Sequence, residues 1–342
     1  MLYENKSQVM KYNTLPNTDL TVSKLCFGCW GIIPDFHWGE RDQQDSVKAI
    51  LATVDAGINF FDTAPVYGDG ASETLLGTVF ADHKLRDKTI IASKVPPNSM
   101  KPDQIQTECE ASLKRLQTDY LDLYQTHWTS RDVPLADSWG AMLRLQEQGK
   151  VRHIGVCNMG LEDLQAVSDL QKPVTNQLPF NLMWRMIEAE ILPHCIQQDI
   201  GVLVYTPLMH GILADKYQSA ADVPDGRARS RHFNGERPMA RHGEPGAEVE
   251  TFAALDAIRD ICVGLNREMA DVALAWIMQQ AGIVSVITGA SNADQLRKNV
   301  NAVESPLSDD VLQKLDAATT KLKTVLGSNP DMWDGGENSR YR

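Results

Sequence analysis

No run of about 18 apolar residues occurs in the 342-residue sequence, so a membrane-spanning helix is not expected. The opening stretch MLYENKSQVMKYN lacks an apolar core and a small-residue cleavage site, so no export signal is read and a cytoplasmic location is expected. Basic charge is in deficit: 33 Lys and Arg against 45 Asp and Glu give a formal net charge of −12. That balance argues against nucleic acid or an anionic membrane as partner, because both demand a basic footprint. Cysteine is sparse and scattered, at 26, 29, 109, 157, 195 and 262. Cys26 and Cys29 make one CxxC with no second pair and no helix start beside it, so the thiols read as buried and no metal site is expected. A G-x-G-x-x-G turn after the first predicted strand is also missing, which removes the usual signature of a dinucleotide-binding Rossmann fold.

What is present is alternation. Tyr12 to Val22 carries a hairpin pattern around Pro16-Asn17-Thr18-Asp19. Predicted strands then fall at 24–28, 59–62, 89–95, 121–127, 151–158, 173–178, 201–206 and 283–287. Helical spacing follows them at 42–57, 72–82, 103–116, 135–148, 160–169, 187–198, 249–263 and 270–280, 292–301, with a last helix at 308–325. Ser72 is the expected cap of the second helix, and Glu73 suits its positive end. Eight such units with no break in composition predict one domain over 1–342. The expected fold is a closed (β/α)8 barrel, core about 12–325, with an N-terminal hairpin, a long loop after the seventh strand and a tail from 326. The loop Leu208 to Glu248 concentrates Lys216 and Arg227, Arg229, Arg231, Arg237 and Arg241, a local basic cluster in an acidic chain.

Polar residues at the carboxyl ends of barrel strands gather at one mouth. Here they are Asp62, Lys94, His127, Cys157-Asn158 and Asn176-Gln177, with Tyr67 in the loop after Asp62. An ammonium ending the apolar strand IIASK requires a partner, and Asp62 is available. A lysine beside Tyr67 is expected to favour phenolate and lower the phenol's pKa. Tyr67 could then exchange a proton with a carbonyl oxygen, and His127 could orient that oxygen.

The motifs DTAPVYG, SK and QTH, together with GKVRHIGVCN (149–158), NQLPFN (176–181) and YTPL (205–208), resemble the aldo-keto reductase family from about Tyr12 to Ala302. The resemblance implies a catalytic set of Asp62, Tyr67, Lys94 and His127 and a nicotinamide cofactor bound in extended form. It implies hydride transfer to or from an aldehyde, ketone or sugar carbonyl. It places Cys29 and Trp30 at the mouth, Cys157, Asn158 and Gln177 at the carboxamide, and Tyr205 as the ring stacked on nicotinamide. Thr206, Pro207, Leu208, Gly211 and Lys216 are similar to the loop over the pyrophosphate, with Arg229 reaching a phosphate. GASNADQLRKN resembles the branch that includes potassium-channel β subunits, which puts Gly289, Ser291, Gln295 and Asn299 at the adenosine end. Three departures stand out: Cys157 replaces a usual serine, Lys298 replaces a glutamate common in relatives, and position 291 is neither Lys nor Arg. NADP(H) is the favoured cofactor and NAD(H) the alternative. Trp30, Trp38, Trp128 and Trp333 are expected to frame the pocket for a small carbonyl or sugar. Two other readings belong beside this one: a dehydrogenase working in the oxidative direction, and a cofactor-loaded regulatory subunit.

Overall fold

The computed structural model describes residues 10–34, 42–290 and 292–342, except the side chains of Ala293 and Glu337. An antiparallel hairpin, β1 (Tyr12–Thr14) and β2 (Thr21–Ser23), precedes β3 (Leu25–Gly28) and α1 (Gln43–Asp55). The alternation continues with β4 (Phe60–Asp62), α2 (Ala71–Asp82), β5 (Ile90–Val95), α3 (Pro102–Leu116), β6 (Leu121–Thr126) and α4 (Leu135–Glu147). Then come β7 (Val151–Cys157), α5 (Leu161–Ser168), β8 (Thr175–Pro179), α6 (Ile191–Gln197) and β9 (Gly201–Tyr205). After the long loop follow α7 (Glu248–Leu265), α8 (Met269–Met278), β10 (Ile283–Thr288), α9 (Ala293–Glu304) and α10 (Asp309–Leu326). The eight strands β3 to β10 are parallel and close into a barrel, β10 pairing with both β9 and β3. Among the described residues no helix is long and apolar enough to cross a membrane.

Side-chain alternation along each strand sorts the core into two parts. Outward residues such as Phe27, Phe61, Ile91 and Tyr124 pack under the helices. Inward residues Cys26, Phe60, Ala92, Leu123 and Leu203 form a separate cluster with Leu15, Leu20 and Val22 of the hairpin. The hairpin is therefore the floor of the barrel, tied on by Asn13 Nδ2 donating to Val284 O at 2.8 Å. Because Phe60 and Ala92 face inward, so do Asp62 and Lys94, two residues further along each strand. Parity thus delivers a carboxylate and an ammonium to the opposite end of the barrel from the hairpin.

Two local expectations need correction, the Ser72 cap and the helix over 187–198. Helix α2 starts at Ala71 after Gly70, whose φ is +85°. Ser72 is consequently inside the helix, where its hydroxyl donates to Cys29 O at 2.8 Å. Glu73 does lie in the first turn of α2, as expected, and is also fully buried, accepting Arg115 Nε at 2.6 Å and Ser93 Oγ at 2.5 Å. The segment predicted as one helix over 187–198 breaks into a short 3-10 turn, Met186–Glu188, and α6.

Helix α2 meets α3 backbone to backbone at Gly77, where a Cβ would fall 2.5 Å from Arg115 O and 2.6 Å from Leu116 C. Alanine inside a helix ordinarily gains about 0.5–1 kcal/mol over glycine. Gly77→Ala is expected to reverse that sign and lose about 1–3 kcal/mol, read as a lower midpoint of urea unfolding; an unchanged midpoint would mean that the two helices part freely.

Candidate active site

Lys94 is fully buried and Asp62 is 2% exposed. Lys94 Nζ donates to Asp62 Oδ1 at 2.6 Å, Thr63 O at 2.9 Å and Tyr67 Oη at 3.3 Å. An ammonium has three protons, and all three are taken. Burial by itself disfavours the charge on Lys94, but Asp62, with Tyr67 and Cys157, reverses this and holds the ammonium above its ordinary pKa. Asp62 Oδ2 accepts Gln177 Nε2 at 2.8 Å, so β4, β5 and β8 are laced together across the barrel. Thr63 is fixed in turn, since Ser72 Oγ donates its proton to Cys29 O and must accept that of Thr63 Oγ1, 3.0 Å away.

Tyr67 stands over this pair. Its ring lies 5.9 Å from that of Trp30 in a stacked arrangement and 6.2 Å from that of His127 edge to face. Burial lifts the phenol to about 12, against the opposing pull of Lys94. The sequence-based expectation of a lowered pKa is therefore overturned, because desolvation outweighs the neighbouring charge. Since Lys94 donates into Oη, the phenol's own proton is left for the cavity. His127 is pushed down to about 3 by burial and by Lys94, which makes it a neutral imidazole at ordinary pH.

Asn158 leaves β7 with φ +56°. Its Nδ2 donates to His127 O at 3.1 Å, and its Oδ1 accepts Tyr205 Oη at 2.7 Å and Tyr341 Oη at 2.9 Å. Cys157 is buried beside the pair, and burial raises its thiol pKa. Asn176, grouped with the mouth residues from sequence, faces away: its side chain exchanges hydrogen bonds with the backbone of Met159. Trp38 and Ser291 lie outside the described residues.

The remaining expected residues line one cavity of about 1660 Å³. Cys29, Trp30, Asp62, Tyr67, His127 and Trp128 form its catalytic end, with Asn158, Gln177, Tyr205 and Trp333. Thr206, Pro207, Leu208, Gly211, Lys216 and Arg229 continue along it, and Gly289, Gln295 and Asn299 close the far end. Gly211 has φ +97°, and a Cβ there would touch Arg227 Nη1 and Lys216 Cδ, both at 3.3 Å. Arg227, not the expected Arg229, is the arginine at this turn, donating to His210 O at 3.2 Å and Tyr217 Oη at 3.0 Å. At the far end Lys298 pairs with Glu268 at 2.7 Å.

Of the tail, sequence reasoning named Trp333 and missed Asp331, Arg340 and Tyr341. Asp331, fully buried, receives Arg340 through its Nε at 2.8 Å and its Nη2 at 2.9 Å. Arg340 lies 3.7 Å above the Trp128 ring, and Tyr341 packs edge-on to the same ring. Trp333 lies parallel to Tyr205 at 6.3 Å. The signal was present as two acids and two arginines around Trp333, but nothing local in that pattern points to the barrel mouth.

A closed parallel barrel with Asp, Lys, Tyr and His at one mouth defines a candidate oxidoreductase, and comparison with known proteins settles the family. The Aldo/keto reductase family model matches residues 24–320, and the chain belongs to that family. It is 30% identical over 337 residues to the aldo-keto reductase YhdN of Bacillus subtilis, covering 91% of this chain and 99% of that one. It is 30% identical to the NADH-specific methylglyoxal reductase of Escherichia coli, over 88% and 95% of the two chains. The crystal structure of an aldo-keto reductase from Klebsiella pneumoniae in complex with NADPH superimposes with a TM-score of 0.70 at 29% identity, over 90% and 95%. The chain is an NAD(P)H-dependent oxidoreductase, and its fold is the (β/α)8 barrel with N-terminal hairpin that the alternation predicts.

A neutral buried His127 has a consequence for stability. Its folded pKa is depressed to about 3 from an ordinary 6.5, so below pH 6.5 the unfolded chain takes up a proton that the folded chain refuses. Stability from this group is complete at pH 7 and falls as pH drops, by about 2 kcal/mol at pH 5. Urea unfolding of His127→Asn should show a pH 7 to pH 5 loss smaller than the parent's by that amount; equal losses would mean that His127 titrates normally.

Proposed function

We propose that the chain reduces an aldehyde, ketone or sugar carbonyl, with Tyr67 as proton donor and NADP(H) as the favoured cofactor. The observation that carries this reading is the saturated ammonium of Lys94, which fills the phenol oxygen's acceptor site and leaves Tyr67's proton for the cavity. A cofactor fits the residues present. The cavity holds about 1660 Å³, and at its Gly211 turn Lys216 and Arg227 have no carboxylate partner among the described residues, which suits an anionic pyrophosphate. Asn158 and Gln177 would hold the carboxamide, Tyr205 would face the nicotinamide ring, and Gln295 and Asn299 would meet adenine. Ser291 would serve a 2′-phosphate.

When bound, the nicotinamide supplies the hydride. The chain's own work is to hold the carbonyl oxygen between Tyr67 Oη and the neutral His127 ring, to give it the phenol proton, and to stabilise the resulting phenolate through Lys94. Asp62 keeps Lys94 charged throughout. The same groups serve the reverse reaction, in which phenolate accepts the proton of an alcohol. The relatives support both cofactor choices, since one is named as NADH-specific and another was solved with NADPH. NADP(H) is favoured by the likeness of GASNADQLRKN to the branch whose serine, matching Ser291, meets the 2′-phosphate.

Tyr67→Phe is expected to lower kcat by at least about 100-fold on a panel of aldehydes, ketones and sugars, with NADPH affinity by fluorescence titration retained. The reading fails if neither NADPH nor NADH supports turnover, or if the variant matches the parent. With the Tyr67 phenol at about 12 and His127 at about 3, neither changes protonation between roughly pH 6 and 9. The single-turnover rate of reduction should be flat across that range, and an inflection there would contradict these assignments.

A further inference from the structure

The basic cluster of the loop after β9 divides by its partners. Arg231 pairs with Glu244 at 2.7 Å, Arg237 with Glu248 at 3.3 Å and Asp225 at 3.4 Å, and Arg241 with Asp334 at 3.0 Å. Those three guanidinium groups build the loop. Lys216 and Arg227 meet at the Gly211 turn, and their two positive charges match the two negative charges of a dinucleotide pyrophosphate. Arg229 is left over. It is half-buried in the cavity wall and makes no hydrogen bond or ion pair with any protein group among the described residues.

Its position follows from its neighbours. Two residues before it, Arg227 faces the phosphate turn. Two residues after it, Arg231 N donates to Met332 O at 2.8 Å, next to Trp333 on the catalytic side of the cavity. Arg241, close enough to repel the charge on Arg229, is tied to Asp334. Asp334 also receives Arg340 at 2.6 Å, and Arg340 covers Trp128, the neighbour of His127. Arg229 therefore stands between the phosphate turn and the aromatic mouth.

We propose that Arg229 recognises an anionic group, a carboxylate or phosphate, carried by the carbonyl substrate at the end away from the reacting oxygen. A half-buried guanidinium beside a second arginine is costly without a counter-charge, and its planar fork suits either oxyanion. In a protein of formal net charge −12, a local positive wall also selects against neutral competitors. This rests on the reductase reading of the site, and it adds the substrate class.

The test compares matched pairs that differ only in charge: 4-oxobutanoate against butanal, and glyceraldehyde 3-phosphate against glyceraldehyde, with NADPH. The parent is expected to favour at least one anionic member in kcat/KM by about ten- to a hundredfold, and the pair that shows the preference identifies the group. Arg229→Met should bring that ratio close to one, Arg229→Lys should restore part of it, and NADPH affinity by fluorescence titration should stay within about threefold of the parent. No charge preference in the parent overturns the proposal. So does a variant that keeps the ratio while losing NADPH affinity, which would give Arg229 to the cofactor. If the parent reduces no carbonyl, the reductase reading falls separately. Calorimetric binding of 4-oxobutanoate and of glyceraldehyde 3-phosphate to parent and Arg229→Met, both in the presence of NADP⁺, then decides the matter: binding of either anion that the variant loses supports the site, and binding of neither, or equal binding to both proteins, overturns it.

Discussion

A lysine ammonium with no access to water is the constraint from which the rest of the site follows. Desolvating that charge would cost several kcal/mol if it stood alone. It persists because Asp62, Thr63 O and Tyr67 Oη take its three protons. Those acceptors come from β4 and the loop behind it, while the lysine comes from β5. Neither strand could hold the arrangement by itself. Closure of the barrel brings β8 across as well, and Gln177 occupies the second oxygen of Asp62. The outcome is a phenol whose oxygen is already engaged as an acceptor and whose proton is not.

Around that centre the charges are allocated by role. Deep acids have committed partners: Asp62 with Lys94, Glu73 with Arg115, Asp122 with Arg86 and Arg152, and Asp331 with Arg340. Of these only Asp62 lines the cavity, where Lys94 neutralises it. Along the loop after β9 the cavity is lined by Lys216, Arg227, Arg229 and Arg241 against one carboxylate, Asp215, which Arg259 neutralises at 2.8 Å. The strongly acidic whole thus encloses a locally basic groove, which is the polarity that a phosphate-bearing ligand needs.

The fold was legible because period-two and helical spacing alternate over the whole chain, and because Asp62, Lys94 and His127 are visible at strand ends. Parity explains the part that was misread. Asn176 and Gln177 are adjacent, so only one can face inward; pairing of Cys157 with Gln177 puts Gln177 inside and Asn176 behind. Ser72 failed as a cap because Gly70 already turned the chain, freeing the hydroxyl to brace Thr63. The Tyr67 pKa was misjudged because sequence shows which charges are near and hides how much water is lost. Of the tail only Trp333 was placed, since Arg340 and Tyr341 reach Arg131 and Asn158, about two hundred positions away.

Two strand ends leave the barrel in the left-handed region, Asn158 after β7 and Thr206 after β9, each with φ +56°. Asparagine tolerates that conformation, whereas a β-branched threonine is an outlier there, costing about 1–3 kcal/mol. The strain is held in place from outside: Asn181 Nδ2 and Met209 N both donate to Thr206 O, at 2.9 and 3.0 Å. Its geometric effect is to turn the chain at Pro207 so that Leu208, Gly211 and Lys216 line the cavity. Asn158 makes the matching turn on the other side, where its amide joins His127, Tyr205 and Tyr341. Regular strand geometry would carry both segments past the mouth. Departure from it at these two residues joins the catalytic centre, which the barrel builds, to the groove, which the loops build.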